Sequence, residues 1–173
     1  MKIFRNFESA KGIKNPVVTI GSFDGVHVGH KAILKRLNEL AKQNHGESVV
    51  ITFEPHPRKV LYPETIGKDL WLITSYEEKL KLLAELGIDN VIVVEFTKEF
   101  SKITNEQFVK GFLHNILKVK VVVAGFDHHF GFNKRVITDS CGIGKKDSAF
   151  LSKKYPHKKM NMKLLVLQKY AWQ

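Results

Sequence analysis

Four short apolar runs, each rich in β-branched residues, are the strongest pattern along the chain and predict four β-strands. The runs are residues 17–20, 48–53, 91–94 and 120–124. The third run is almost wholly apolar, which is typical of a strand in a parallel sheet that helices cover on both faces. Because these strands alternate with segments of helical spacing, the sequence predicts an α/β fold with a doubly wound parallel sheet.

Three helices are predicted between the strands from apolar spacing and from capping signals. Apolar residues recur at helical spacing over residues 32–41, after the first strand. Thr74 and Ser75 each stand three residues before a glutamate and offer two overlapping capping boxes for the second helix. Thr104 and Gln107 form a further capping box, which predicts the start of the third helix.

The turn between the first strand and the first helix is rich in glycine and histidine. Gly21, Gly25 and Gly29 allow a sharp bend and a close approach of backbone to a ligand, and the free N–H groups of a helix start attract phosphate. His27 and His30 are three residues apart, so on a helix that begins near residue 28 they face the same ligand and can donate to its oxygens. Two other interpretations of the histidines stay open. The first is that they are zinc ligands, which would need further ligands nearby. The second is that they are ordinary polar residues of a helix start.

The second predicted strand ends in the sequence Pro55, His56, Pro57. The two prolines are expected to bar a helix and to fix an extended loop that displays His56. Ligands of open α/β sheets bind outside the carboxyl ends of the strands, so His56 is a candidate for the same pocket as His27 and His30. The alternative is an ordinary histidine in a surface loop.

A loop at residues 125–135 follows the last predicted strand and places Asp127 beside His128 and His129. Neighbouring side chains on an extended chain point in opposite directions, so at most two of these three residues could share one ion. The sequence therefore predicts no dedicated metal site in this loop.

Three motifs, in this order, resemble the prokaryotic bifunctional riboflavin kinase/FMN adenylyltransferases, also called FAD synthetases, of the nucleotidyltransferase superfamily. The motifs are Gly-x-Phe-Asp-Gly-x-His-x-Gly-His at residues 21–30, Thr-Phe-Glu-Pro-His-Pro at 52–57 and Gly-x-Asp-x-x-Phe-Gly at 125–131. A further family-like stretch, Thr-Lys-Glu-Phe-Ser, lies at residues 97–101. The resemblance covers nearly all of residues 17–135 and implies a Rossmann-like nucleotidyltransferase fold.

The same resemblance implies FMN adenylyltransferase activity, in which ATP and FMN give FAD and pyrophosphate with Mg²⁺ on the phosphates. It implies catalytic roles for His27 and His30, which would donate to ATP phosphates as charge moves to the leaving pyrophosphate. The residues it implies for ATP binding are Gly21, Phe23, Asp24, Gly25, Gly29 and Asp127. The residues it implies for a flavin or nucleotide pocket are Phe53, Pro55, His56 and Pro57.

Composition limits the cell compartments and the classes of partner that fit this protein. A chain of 173 residues, 43% of them hydrophobic, suffices for one globular domain with a core. A single cysteine, Cys141, and the lack of a long apolar run favour a cytoplasmic protein without a membrane partner. The net charge of +11 suggests nucleic acid as a partner, but eight lysines and only two aspartates lie in residues 136–173. Because most of the excess lies there, we expect small-molecule nucleotides and no nucleic acid.

The tail, residues 136–173, departs from the family pattern and sets the boundary of an incomplete adenylyltransferase domain at residues 1–135. The family continues with a Ser-Ser-Thr-x-Ile-Arg motif that holds the ATP phosphates, and codon degeneracy permits Ser-Ser-Thr-Lys-Ile-Arg in a shifted frame over residues 165–171. One hypothesis is therefore a frameshift product, and another is a divergent basic end. The tail is expected to dock poorly, the riboflavin kinase domain to be absent, and FAD formation to be slight. A truncated, non-catalytic nucleotide-binding remnant and a basic nucleic-acid-binding module are the alternative functions.

Overall fold

The computed structural model describes residues 1–124 and the backbone of one strand at residues 165–168. The strands are β1 (Lys2–Phe4), β2 (Val17–Ile20), β3 (Ser48–Glu54), β4 (Asn90–Glu95), β5 (Val121–Ala124) and β6 (Leu165–Gln168). The helices are α1 (Val28–Gln43), α2 (Pro57–Leu61), α3 (Tyr76–Glu85) and α4 (Asn105–Phe108), which continues as a π-helix at Val109–Ile116. Short 3-10 turns lie at Glu8–Ala10, Asp24–Val26 and Phe100–Lys102.

The six strands form one sheet in the order β1-β4-β3-β2-β5-β6. Strands β1 to β5 run parallel, and β6 pairs antiparallel with β5 at the edge. The predicted doubly wound parallel α/β sheet is confirmed. The chain passes from β2 through β3 to β4 on one side and returns to place β5 on the other side of β2. The strand order thus reverses at β2, and such a switch point opens a crevice at the carboxyl ends of the strands.

Apolar side chains cover both faces of the sheet, as expected of strands that are buried on both sides. One face packs against α4 and the π-helix. This apolar layer contains Val18, Ile20, Val49, Ile51 and Phe53 from the strands and Phe108 and Leu113 from the helices. The other packs against α1 and α3 and includes Val17, Phe23, Val50, Val91, Leu34, Leu37 and Leu83. Neighbouring residues of a strand therefore face different layers, a difference that matters for the site described below.

All four predicted strands are present, and three helices begin where the sequence signals predicted. Helix α1 begins at Val28, and Ser75 and Thr104 cap α3 and α4 in complete capping boxes with Glu78 and Gln107. The expectation that the prolines bar a helix at the Pro-His-Pro sequence is wrong, because α2 begins at Pro57 itself. Proline is accepted at the first position of a helix, where its missing N–H would have no partner.

The tail departs from expectation in one respect. It was expected to dock poorly, yet residues 165–168 form β6 and pair with β5 in register Val121↔Gln168 to Ala124↔Leu165. The strand lies within the most apolar part of the tail, where Leu165, Val166 and Leu167 form a short apolar run that completes a sheet edge. Of the helices that the structure describes, none has the length and apolar character that a membrane crossing needs.

Candidate functional site

The turn between β2 and α1 lies at the switch point of the sheet and is held by backbone contacts. The N–H of Gly21 donates to the carbonyl of Ile51 at 3.0 Å, and the hydroxyl of Thr52 donates to the carbonyl of Ser22 at 3.3 Å. Phe23 has a φ of 51° and its side chain is buried against the second apolar layer. A Cβ at position 21 would approach the Phe23 ring to 3.0 Å, so glycine there permits the close return of the aromatic ring.

His27 and His30 lie together where α1 begins. Their imidazole rings are stacked with centroids 3.7 Å apart, and the Phe23 ring lies 5.0 Å from that of His30. His27 is exposed and is the residue that precedes α1, but its side chain does not cap the helix. The first amides of α1, which include that of the buried Gly29, therefore have no acceptor from this side chain. The predicted convergence of the two histidines on one face is confirmed.

His30 is a neutral imidazole at physiological pH. Burial, and next to it electrostatic repulsion from His27, lower the pKa of His30 to about 4, and Asp24 acts in the opposite direction. Its Nδ1 atom is buried and has no hydrogen-bond partner among the residues that the structure describes. A neutral imidazole still carries one N–H donor, so His30 can offer a hydrogen bond without bringing a charge.

Asp24 ties the turn to the segment that precedes α3. Its carboxylate accepts hydrogen bonds from the N–H of Ile73 at 3.1 Å and from the N–H and hydroxyl of Thr74 at 3.0 and 3.2 Å. Burial acts to raise the pKa of Asp24, but these donors outweigh burial and leave the pKa below its ordinary value. Asp24 therefore positions two chain segments, and its predicted contact with ATP stays a prediction.

Gly25 completes the same contact from the backbone. Its N–H donates to the hydroxyl of Thr74 at 3.1 Å, and its φ of 68° lies in the left-handed region that favours glycine. A Cβ at position 25 would come within 2.9 Å of the Ile73 side chain. The glycine is thus required both by its conformation and by the segment that covers it.

The Pro-His-Pro corner lies at the end of β3, beside β2. The peptide bond between Glu54 and Pro55 is cis, and the Nδ1 atom of His56 accepts a hydrogen bond from the N–H of Arg58 at 3.2 Å. Burial lowers the pKa of His56, Arg58 lowers it further, and the carboxylate of Asp24 acts in the opposite direction. The charge of Asp24 therefore acts on a histidine of each of the first two motifs.

Phe53 is not brought together with the histidines. Its ring is buried in the first apolar layer, where it lies 5.6 Å from the Phe96 ring and 6.0 Å from the Phe100 ring. Phe23 belongs to the layer on the other face of the sheet. The predicted role of Phe53 in a ligand pocket stays a prediction, as does that of Asp127, which lies outside the described residues.

Lys79 is a residue of this region that the sequence interpretation missed. It lies on α3, is only 7% exposed, and places its ammonium 3.8 Å from the carboxylate of Glu54 at the end of β3. Burial lowers the pKa of Lys79, while Glu54 and Asp24 act to raise it. The available signal was helical spacing, because Lys79 precedes the fully buried Leu83 by one turn and so lies on the buried face of α3.

Known proteins share both the sequence and the fold. A family model described as FAD synthetase matches residues 10–163, a range that extends past Arg135 into the tail. The bifunctional riboflavin kinase/FMN adenylyltransferases of Listeria monocytogenes and Escherichia coli K12 are 42% and 38% identical in sequence to this chain. These matches cover 68% and 66% of this chain and 36% of each relative. The relative from Buchnera aphidicola subsp. Schizaphis graminum is 36% identical, over 76% of this chain and 41% of its own length.

The chain thus spans between 36% and 41% of the length of these curated relatives. A crystal structure of a macrolide-efflux protein from Streptococcus pneumoniae has a similar fold, with a TM-score of 0.68 and 28% identity. That similarity covers 79% of this chain and 52% of the other. The family model matches most of the chain, and the matched range includes the β2–α1 turn and the corner after β3. The chain therefore belongs to the FAD synthetase family.

Proposed function

We propose that this chain is an FMN adenylyltransferase, which transfers AMP from ATP to FMN and releases pyrophosphate, and that its atypical tail lowers the rate. Membership of the FAD synthetase family supports the reaction. The single structural observation that carries it is the stacked pair of His27 and His30 at the start of α1, beside the switch point of the sheet. The names of the relatives, which include FMN adenylyltransferase, agree with this proposal.

The reaction needs position and charge stabilisation rather than a covalent enzyme intermediate. A phosphate oxygen of FMN attacks the α-phosphorus of ATP in line, the bond to the β-phosphate oxygen breaks, and pyrophosphate carries away the charge. The first amides of α1 and the imidazoles of His27 and His30 suit this task, because donors at a helix start stabilise phosphate oxygens. Neutral His30 would strengthen its hydrogen bond as negative charge grows on the leaving group.

Mg²⁺ is proposed to arrive as part of the ATP substrate. Among residues 1–124 there is no cluster of three or more histidine, cysteine or acidic side chains that could hold an ion. Mg²⁺ in phosphate chemistry is commonly held by substrate phosphates with only one or two protein carboxylates, so this donor set fits a metal–nucleotide complex. The metal would bridge phosphate oxygens and neutralise their charge.

The remaining pocket residues are proposed to border the substrates. Gly21, Gly25 and Gly29 would give the phosphates access to backbone, and Phe23 would support the ring of His30 from below. Pro55, His56 and Pro57 would line the neighbouring side of the crevice, since they leave the carboxyl end of the adjacent strand β3.

An assay of FAD formation from FMN and MgATP tests the proposal, with calorimetric titration of each substrate alongside. We expect slow FAD formation that requires FMN, ATP and Mg²⁺ together. Binding of ATP without any FAD would favour a non-catalytic nucleotide-binding remnant instead. Failure to bind either substrate would contradict the proposed function altogether.

A further inference from the structure

Stability alone does not explain why Lys79 is buried. The residue is 7% exposed, and the nearest carboxylate, that of Glu54, stands 3.8 Å away and is itself 40% exposed on its side chain. Lysine is almost never so deeply buried unless it is paired, and one long contact to a half-exposed partner compensates poorly for the lost hydration. The cost of this burial points to a role other than stability.

The surroundings of Lys79 connect it to the candidate site. Its ammonium lies 3.8 Å from the carboxylate of Glu54 at the end of β3, and the charge of Asp24, in the turn after β2, also acts on it. The Tyr76 ring lies 6.0 Å from the ammonium, and the electrostatic influence of Lys79 reaches His56 as well. This buried cation on α3 thus interacts with the charges of both motifs that bring histidines to the switch point.

The acidic side chains in this region would repel an anionic substrate, and Lys79 offsets their charge. Asp24 and Glu54 carry two negative charges at the edge of the sheet where a polyanionic substrate would bind. Repulsion between these carboxylates and phosphate is strong in a partly buried site, because few water molecules screen it. A buried cation that interacts with both carboxylates offsets that repulsion, and its burial keeps it away from the solvent-exposed side where a substrate would bind.

We propose that Lys79 is a positioning residue for nucleotide binding, which offsets the negative charges of Asp24 and Glu54 next to the phosphates. This inference rests on the proposed function, since it takes ATP and FMN as the anions that bind. It goes beyond that function because Lys79 touches neither substrate and acts through the two carboxylates. A purely structural ion pair would instead affect folding and leave substrate affinity unchanged.

Lys79→Met tests the inference directly, because methionine keeps the length of the side chain and removes the charge. We expect the KM for ATP to rise about tenfold and kcat to change little, as expected for a lost charge at a distance from the reacting atoms. Thermal stability should stay the same or rise, since a buried charge is lost. Lys79→Arg, which retains the charge, should keep the KM closer to that of the parent chain than Lys79→Met does. Lys81→Met on the exposed side of α3 is the matched control and should leave KM unchanged.

Glu54→Gln separates electrostatic positioning from an ordinary ion pair. Added to Lys79→Met, it should return the KM for ATP to within about threefold of the parent, because the unpaired carboxylate is then gone. Alone, it should tighten ATP binding, and this single variant keeps the inference testable if Lys79→Met does not fold. An unchanged KM in folded Lys79→Met, no recovery in the double variant, or weaker ATP binding by Glu54→Gln would each overturn the inference.

Calorimetric titration of MgATP into the same full-length variants distinguishes this inference from the proposed function. If the parent chain binds ATP but makes no FAD, the proposed reaction fails, and the dissociation constants still decide the role of Lys79 by the same pattern. If the parent makes FAD and the pattern is missing, the reaction stands and the role of Lys79 is wrong. A parent chain that binds no ATP contradicts both.

Discussion

His30 combines partial burial, an Nδ1 atom without a hydrogen-bond partner in the described part of the chain and a stacked neighbour, and the proposed chemistry depends on it most directly. We expect His30→Ala to lower kcat for FAD formation by about a hundredfold or more, because one charge-stabilising donor is lost. Single-turnover assays with enzyme in excess keep such slow rates measurable. His45→Asn, an exposed site beyond the other end of α1 with a positive φ that asparagine tolerates, is the control and should match the parent. A His30→Ala chain as fast as its parent would show that the role is wrong.

The protonation of His30 gives a second prediction at the same scale. Its folded pKa of about 4 lies below the ordinary pKa of 6.5 for histidine, so between these values the unfolded chain binds more protons than the folded one. The stability that comes from burying the neutral ring is therefore fully present above pH 6.5 and is lost as pH falls towards 4. An NMR titration of the imidazole C–H signals should find the midpoint near 4. MgATP should move it upward, since phosphate favours imidazolium, and a midpoint at or above 6.5 in the free chain would contradict the assignment.

The sequence was informative about this site wherever the signal was local. Three-residue spacing on a helix was enough to predict that His27 and His30 converge, and their rings are stacked. Helical spacing was enough to place Lys79 on the buried face of α3, but its pairing with Glu54, a residue of a different element, had no local signal. The position of Phe53 on the far face of the sheet likewise follows from strand pairing, which sets the face of each residue and cannot be read from the motif that contains it.

The segment between α2 and α3 offers a prediction at the scale of elements. Asp24 binds the N–H groups of Ile73 and Thr74, which are 49 and 50 positions away along the chain. Asp24→Ala should therefore release this segment and cost about 1 kcal/mol of unfolding free energy, a modest value for hydrogen bonds to a partly exposed carboxylate. Hydrogen exchange of the Ile73 and Thr74 amides should accelerate, while the amides of the central strand β3 stay protected.

Asp69→Ala serves as the control for that experiment. Asp69 is exposed and belongs to the same segment, so its loss removes a similar charge and leaves the contact with the turn intact. Faster exchange of the Ile73 and Thr74 amides in both variants would mean that charge, rather than the hydrogen bonds of Asp24, holds the segment.

Elements with a strong internal pattern were predicted well, and those that depend on distant partners were not. The apolar runs of β2 to β5 and the capping boxes of α3 and α4 are local signals, and all are present. Strand β1 has three residues and exists because it pairs with β4, so no periodicity could reveal it. The change from α4 to a π-helix at Val109 likewise could not be predicted from the periodicity of the sequence.

At the scale of the whole molecule, the site depends on the order of the strands. The β2–α1 turn lies where the strand order reverses, and the neighbouring β5 lies on the other side of β2. The segments that follow β2 and β3 leave neighbouring strands at this position, and they carry His27, His30 and His56. Two sequence motifs are therefore brought to the same end of the sheet.

The sequence of the tail differs from the family pattern in residues that would hold the ATP phosphates. The family match reaches residue 163, and β6 adds an antiparallel edge to β5. Residues 136–173 nevertheless lack the Ser-Ser-Thr-x-Ile-Arg motif that the family resemblance implies for holding ATP phosphates. Hydroxyl and guanidinium donors of that kind stabilise transferred phosphates strongly, so their loss affects the rate more than the fold. We propose that the tail is the product of a frameshift within codons 134–137.

Restoring the frame gives the last prediction. A version whose DNA is shifted by one nucleotide after codon 135, so that the six shifted codons spanning codons 165–171 read Ser-Ser-Thr-Lys-Ile-Arg, should form FAD about a hundredfold faster than the 173-residue chain and bind ATP more tightly. The arginine of the restored motif, changed to methionine, is the control and should return the rate towards that of the 173-residue chain. Sequencing of the DNA around codons 134–137 and parallel FAD assays decide the matter. If the 173-residue chain turns over as fast as the restored one, the phosphate-holding motif is dispensable, and the tail is a functional divergent end rather than a frameshift product.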